Sequence, residues 1–134
     1  LGDVYKRQSL NASSMDSVTQ SSGKTKVFYL FNAEIPAINQ SKVGFTGNVY
    51  SQQVLVVNKG DIVVIHFYNV ETDPQEHHSF TLGTPYNINA VLAGGQNTTI
   101  TFVANKVGIF EYHCIFHPPE MRGELVVLPW KSGW

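Results

Sequence analysis

Short runs in which apolar and polar residues alternate follow one another along most of this chain. The clearest run is 98–103, where Ile100 and Phe102 fall on one face and hydroxyl side chains fall on the other. An apolar residue at every second position is the pattern of a β-strand with one buried face. No window of eleven or more residues shows the periodicity of a helix. The pattern therefore predicts an all-β protein.

Seven segments carry the strand pattern, and residues that favour turns separate them. In chain order they are 25–32, 53–58, 61–70, 77–82, 98–103, 109–114 and 124–128. We expect 83–96 to be irregular, because it contains Pro85 and a pair of adjacent glycines. Residues 43–48 are expected to form a glycine-bearing connection. Seven or eight short strands at this spacing predict an antiparallel Greek-key β-sandwich.

The composition narrows the class of protein. A chain of 134 residues with 43% hydrophobic and 14% charged residues is typical of one globular domain with its own core. A formal net charge of -1 offers no basic surface for nucleic acid or for an anionic membrane. No apolar run approaches the roughly eighteen residues needed to span a bilayer. The single cysteine, Cys114, is therefore a packing residue, a reactive thiol or a metal ligand.

The first 24 residues lack the strand pattern and are set apart from the predicted domain at 25–134. Residues 3–8 look like translated sequencing-adapter sequence, and 9–24 is rich in serine, threonine, asparagine and glutamine. We interpret 1–24 as an artefact followed by a flexible polar leader. Such a leader favours an exported protein, periplasmic or otherwise extracytoplasmic, which a missing amino-terminal segment could anchor to a membrane.

The segment 110–127 carries the chain's most distinctive chemistry. His117 lies three positions after Cys114, and Met121 lies four positions after His117. Thiolate, imidazole and thioether form a soft set of donors, and such a set selects copper. One further histidine from elsewhere in the chain would complete the ligands of a mononuclear site.

A histidine pair at the start of another predicted strand supplies that ligand. If Phe80 and Leu82 pack inward, alternation turns His78 inward as well and leaves His77 on the outer face. His78 is thus the predicted fourth member of the set.

These three segments together resemble the cupredoxin family of type 1 copper proteins. The motifs are His-Ser-Phe at 78–80, Gly-x-Phe-x-Tyr-x-Cys-x-x-His at 108–117 and Met-x-Gly-x-Leu at 121–125, and the resemblance covers about 53–128. It implies one copper ion per chain, held by His78, Cys114 and His117 in a trigonal plane, with Met121 as a weak axial ligand.

The same resemblance implies support around the ligands. Ser79 is expected to hydrogen-bond the cysteine loop, and Phe80, Phe116 and Ile88 are expected to form a dry apolar wall. The hydrogen bond would support the cysteine loop, and the apolar wall would raise the reduction potential of the site.

The ligand loop mixes spacings that differ among the plastocyanin-like, azurin-like and amicyanin-like members of the family. Two residues separate Cys114 from His117, and three separate His117 from Met121. Two of those three are prolines, which fix φ and could draw Met121 away from the metal. Water or the Glu120 carboxylate would then occupy the axial position. An open position would admit small molecules such as nitric oxide.

Other interpretations of the same residues are weaker. Zinc could use two histidines and a cysteine, but methionine is a poor fourth ligand for it. A binuclear copper site would need a second cysteine where this chain has Pro118.

His113 points outward beside Cys114, where a second copper between subunits would lie, yet the companion histidines are not evident. We therefore interpret His113 and His77 as solvent-facing residues. The loop before the predicted strand 77–82 carries three carboxylates: Glu71, Asp73 and Glu76. We interpret them as solvated charges that could orient a partner protein.

Two functions fit these observations. The leading hypothesis is a one-electron carrier, expected to be a monomer, in which His117 presents its outer edge to a redox partner through an apolar patch. The expected patch consists of Pro85, Ile88, Pro118 and Pro119. The alternative is a small copper enzyme that acts on nitric oxide or a related molecule, at an open axial position or at a second copper between the subunits of a trimer. A copper chaperone fits less well, because a rigid mixed-ligand site releases metal slowly.

Overall fold

The described residues form nine strands in two sheets that pack on one another in this computed structural model. The structure describes residues 23–35, 42, 44 and 47–129, so the predicted leader lies outside them except for Gly23 and Lys24. The strands are β1 (Thr25–Glu34), β2 (Asn48–Tyr50), β3 (Val54–Asn58), β4 (Ile62–Tyr68), β5 (His78–Leu82), β6 (Ile88–Leu92), β7 (Asn97–Val103), β8 (Gly108–His113) and β9 (Arg122–Leu128). Within these residues no helix is long and apolar enough to cross a membrane. The predicted all-β sandwich is confirmed.

The strand order of each sheet shows how the chain winds between the two layers. One sheet has the order β2-β1-β4-β7 and the other β3-β9-β8-β5-β6. β1 runs parallel to β4, and β3 runs parallel to β9. The remaining pairs are antiparallel. Parallel neighbours cannot be joined by a tight hairpin, so the chain changes sheets between them. The sandwich is therefore built from two mixed sheets.

Two short strands lie outside the predicted strand segments: β2 begins at the last residue of the connection predicted at 43–48, and β6 lies inside the segment 83–96 that was expected to be irregular. β2 pairs with the end of β1, and β6 pairs with β5 along its whole length, with His78 opposite Leu92. β6 contains Asn89 and Ala90, which have low intrinsic preference for strands. Pairing with β5 stabilises β6 as a strand, although the sequence of β6 alone does not predict one. The strand count consequently exceeds the seven or eight predicted, and 88–92 is not irregular.

The core between the sheets is rich in aromatic rings. Phe67 on β4 lies 6.2 Å from Phe80 on β5, and Phe80 stacks on Tyr112 of β8 with ring centroids 5.0 Å apart. All three side chains are fully buried. Phe80 and Tyr112 each stand two residues from a predicted ligand, His78 and Cys114 respectively. Core packing therefore fixes both strands that reach the site.

The outer face of β1 departs from expectation. A strand with apolar residues on both faces, as here, is usually covered on both sides or lies at a sheet corner. Leu30 is fully buried, but Val27, Tyr29 and Phe31 are 49%, 57% and 43% exposed. The Tyr29 ring stacks on His66 of β4, with centroids 4.8 Å apart. Among the described residues, only the inner face of β1 is covered.

Candidate metal centre

The predicted ligands converge at one end of the sandwich. His78 is the first residue of β5, Cys114 directly follows β8, and His117 lies in the loop before β9. β5 and β8 are hydrogen-bonded neighbours, with Leu82 opposite Tyr112. This pairing brings together His78 and Cys114, which are 36 positions apart in the sequence.

The distances between the donor atoms suit a copper ion. Cys114 Sγ lies 3.9 Å from Nδ1 of His78 and 3.5 Å from Nδ1 of His117. Metal bonds of about 2.0–2.3 Å to the corners of a trigonal plane separate the donors by roughly 3.5–4 Å. Within the described residues, these three form the one group of histidine, cysteine or acidic side chains whose donors lie close enough to share a metal ion. The donor set and its spacing therefore fit copper.

The Cys114 thiol is prepared to ionise. Burial raises its pKa, but hydrogen bonds with His78 and His117, and with the backbone N–H groups of Ser79 and Phe116, outweigh burial and bring the pKa down to about 6. The Ser79 N–H donates to the sulfur at 3.3 Å. A thiolate is the form that binds metal, so the sulfur itself is largely deprotonated before binding at neutral pH.

His78 is held at both ring nitrogens. Its Nδ1 faces Cys114, and its Nε2 lies 2.9 Å from Oε2 of Glu71. Burial lowers the pKa of His78, but hydrogen bonds to Cys114 and Glu71 and their negative charges raise it above its usual value. The sequence interpretation of Glu71 as a solvated charge is wrong, because this carboxylate contacts a predicted ligand. No sequence period links the two, since the loop between them is irregular.

Ser79 ties the cysteine loop to β5, as predicted. Its Oγ accepts the N–H of Ile115 at 3.0 Å and lies 2.9 Å from Thr81 Oγ1. Thr81 donates its only hydroxyl proton to Oδ1 of Asn89 at 2.8 Å. Ser79 must therefore donate to Thr81, and the four groups form a directed chain of hydrogen bonds from the loop to β6.

Met121 keeps a buried place beside the loop ligands. Its side chain is 1% exposed. Its N–H donates to the His117 carbonyl at 3.1 Å, and its carbonyl accepts the Cys114 N–H at 2.9 Å. The two intervening prolines, which are joined by a cis peptide, thus leave Met121 inside the protein. Its position is compatible with an axial ligand, and that role stays a prediction.

The rim of the site is more exposed than expected. Phe80 is fully buried, but Phe116 is 44% exposed, so its predicted place in a dry wall is wrong. Ile88 pairs with Leu82, at the opposite end of β5 from His78, and Pro85 lies in the turn beyond it. The predicted place of Ile88 in the wall is therefore wrong, as are the predicted places of Pro85 and Ile88 in the apolar patch around His117. The Phe116 ring instead lies 5.7 Å from that of His77. Sequence analysis did not single out Ile115, which is 45% exposed. The exposed side chains around the half-buried His117 are Ile115, Phe116, Pro118 and Pro119.

His113 is half-buried at the end of β8, where it pairs with Arg122 and Thr81. The described part of the chain offers no second group of three ligating side chains. A second copper held at His113 would therefore need ligands from beyond the described residues, such as those of another subunit, and this site stays a prediction.

Comparisons with known proteins agree with the geometry. A family model described as a cupredoxin-like domain matches residues 25–127. The copper-containing nitrite reductase of Rhizobium meliloti (strain 1021) is 32% identical over 63% of this chain, and that of Rhizobium sullae is 32% identical over 57%. The chain spans only about a quarter of the length of these curated relatives, 25% and 23% respectively.

Two solved structures show the likeness of fold. Auracyanin A, a blue copper protein from Chloroflexus aurantiacus, is 19% identical with a TM-score of 0.53, over 77% of this chain and 98% of its own. Copper nitrite reductase from Nitrosomonas europaea is 21% identical with a TM-score of 0.60, over 81% of this chain and 43% of its own. The same fold thus occurs in a protein about the size of this domain and as part of a larger one.

Proposed function

The chain belongs to the family of cupredoxin-like domains, and from that premise we propose that it carries single electrons through one copper ion bound by His78, Cys114, His117 and Met121. The observation that supports this most is the buried thiolate-forming sulfur with two imidazole nitrogens 3.5 and 3.9 Å away. Thiolate, two imidazoles and a weak thioether suit a copper ion that exchanges one electron.

The buried side of the site is suited to keeping the donors still. His78 is fully buried and is contacted at both ring nitrogens, while the Cys114 sulfur accepts a hydrogen bond from the Ser79 backbone. Backbone hydrogen bonds connect Met121 to both loop ligands. Because protein contacts fix the donors, a change of charge at the metal requires little rearrangement of the protein.

The surface side is suited to a brief encounter with a redox partner. His117 is half-buried, and the exposed apolar residues around it offer a small, weakly hydrated contact. We place the docking of the partner protein at this rim and expect the carrier to act as a monomer. The polar leader at 9–24 favours a location outside the cytoplasm.

Replacement of the cysteine tests the proposal directly. Cys114→Ser is expected to abolish the intense visible absorption of the copper-loaded protein, because only a thiolate donates the required charge to Cu(II). His113→Gln is the matched control: it changes the neighbouring, outward-facing side chain and should keep the colour. Absorption and electron paramagnetic resonance spectra of both variants are compared at equal copper content. Colour that persists in Cys114→Ser would contradict the ligand assignment.

A second candidate function is a copper enzyme of the nitrite reductase kind. The 32% identity to two such enzymes favours it, as does the position of His113 next to Cys114. The reaction would need a second copper that draws ligands from another subunit. Copper stoichiometry and oligomeric state separate the two functions. Two coppers per chain in a trimer, with one lost in His113→Gln, would favour the enzyme; one copper in a monomer that is indifferent to nitrite and nitric oxide would eliminate it.

A further inference from the structure

We propose that Glu71 is a positioning residue that fixes the His78 ring and lowers the reduction potential of the copper site. The inference rests on the proposed electron-transfer function and extends it, because Glu71 lies outside the ligand set. Its Oε2 is 2.9 Å from Nε2 of His78, the ring nitrogen that points away from Cys114. Glu71 can therefore influence the site only through the ring and through its charge.

Buried amide groups hold the Glu71 carboxylate in place. Asn32 donates from Nδ2 to the same Oε2 atom at 3.1 Å, and its Oδ1 accepts the Val70 N–H at 2.8 Å. The Glu71 N–H donates to Oδ1 of Asn69 at 3.1 Å. Asn32 and Asn69 are 5% and 2% exposed. A carboxylate with such partners differs from a solvated surface charge, because its Oε2 is held between the Asn32 amide and the His78 ring.

The loop that carries Glu71 is itself fastened to the sheet. Nδ2 of Asn69 donates to the carbonyls of Glu76 at 2.8 Å and Leu92 at 2.9 Å. Leu92 lies opposite His78 in the β5–β6 pair. The carboxylate and the ring are thus positioned by the same part of the sheet, which explains how a loop residue can hold a fixed distance to a strand residue.

Two effects of Glu71 on the site act in the same direction. By accepting a hydrogen bond from Nε2–H, the carboxylate keeps that proton on Nε2, so Nδ1 is the nitrogen that gives its lone pair to the metal, and the hydrogen bond makes Nδ1 a stronger donor. Its negative charge also favours the divalent over the monovalent metal ion. The side chain is 23% exposed, so water screens this charge only in part. Both effects stabilise the oxidised form and lower the reduction potential.

Three variants separate the contact from the charge. Glu71→Gln removes the charge but keeps the length and an oxygen acceptor. Glu71→Asp keeps the charge, but its side chain is one methylene shorter, so the carboxylate lies farther from His78. Glu76→Gln is the matched control, because it removes a charge from an exposed residue of the same loop. The reduction potential is measured by redox titration of the copper-loaded proteins, together with their visible and paramagnetic resonance spectra.

We expect Glu71→Gln to raise the potential by about 59 mV, which corresponds to a roughly tenfold fall in the Cu(II)-to-Cu(I) affinity ratio. Glu71→Asp should raise it by less and shift the spectra, because the ring loses its partner while the charge stays nearby. Glu76→Gln should leave both nearly unchanged. Equal shifts in Glu71→Gln and Glu76→Gln would overturn the proposal, since only a distant charge effect would then remain.

Nuclear magnetic resonance of the reduced wild-type protein gives a test that needs no variant. The His78 ring proton on Nε2 should exchange slowly with water, because it is buried and donated to Glu71. A rapidly exchanging proton would overturn the inference even if every variant folded poorly. Failure of the proposed function is recognised separately, because a wild type that binds copper without the thiolate colour overturns both before any variant is compared.

Discussion

The two histidines of the site have the same ring and similar distances to the sulfur, yet their surroundings are opposite. His78 begins a strand and is fully buried, and its Nε2–H donates a hydrogen bond to Glu71. His117 lies in a loop, is half-buried and is surrounded by exposed apolar side chains. Their rings lie 4.8 Å apart, centroid to centroid. The two ligands therefore differ in the residues that surround each ring and in its exposure to solvent.

Under the proposed function, this difference separates two tasks within one small site. The residues behind His78 are polar and largely buried, so they would tune the metal without contact with a redox partner. The residues around His117 are exposed and apolar, so changes there would alter the docking of a redox partner without disturbing His78. Cys114 stands between the two and contacts both rings.

The largest expected effect comes from removing each ring in turn. Both His78→Gly and His117→Gly should lose the thiolate colour of the copper protein. Added imidazole should restore it only in His117→Gly, because that ligand reaches the surface whereas the place of His78 is enclosed. Visible absorption is followed during an imidazole titration, with the wild type as control. Equal recovery of the colour in both variants would show that imidazole reaches the two ligand positions equally well.

Acidification of the metal-free protein probes the same pair of rings. The Cys114 pKa of about 6 lies below its ordinary value of 9.0, so the thiolate stabilises the folded state fully above about pH 9 and this contribution is lost as the pH falls through about 6. Thiolate absorption in the ultraviolet and urea unfolding should both report this window.

The histidine variants sharpen that measurement. His78→Ala should raise the thiolate midpoint more than His117→Ala, because His78 is fully buried and water replaces its hydrogen bond to the sulfur less readily than that of the half-buried His117. Cys114→Ser, which cannot ionise in this range, is the control. A midpoint near 9 in the wild type would show that the rings do not stabilise the thiolate.

A smaller effect is expected from the contact that ties the loop to β5. Ser79→Ala removes the acceptor of the Ile115 N–H and should lower the free energy of unfolding by about 1–2 kcal/mol. Thr81→Ala, at the exposed end of the same hydrogen-bond chain, should cost less and is the control. Chemical denaturation of the metal-free proteins measures both. Unchanged stability in Ser79→Ala would show that the loop is held by its other contacts.

The all-β fold and the convergence of His78, Cys114 and His117 could be predicted from local sequence patterns and the family resemblance. Alternation places neighbouring side chains on opposite faces, which is why His78 could be separated from His77 and assigned inward. The short spacing from Cys114 to His117 keeps these two residues in one loop, so their proximity needs no long-range contact. The expected bond from Ser79 to the cysteine loop came from the family resemblance and is present.

The surroundings of these three residues depend on contacts between distant segments and could not be predicted from the sequence. Glu71 approaches His78 from an irregular loop, and its other partner, Asn32, is 39 positions away in the sequence. β6 exists because β5 lies beside it, and Phe116 is exposed because nothing in the described part of the chain covers it. Such contacts join segments with no common period, so no local pattern records them. Alternation assigns a residue to a face, but packing decides which residue on that face it meets.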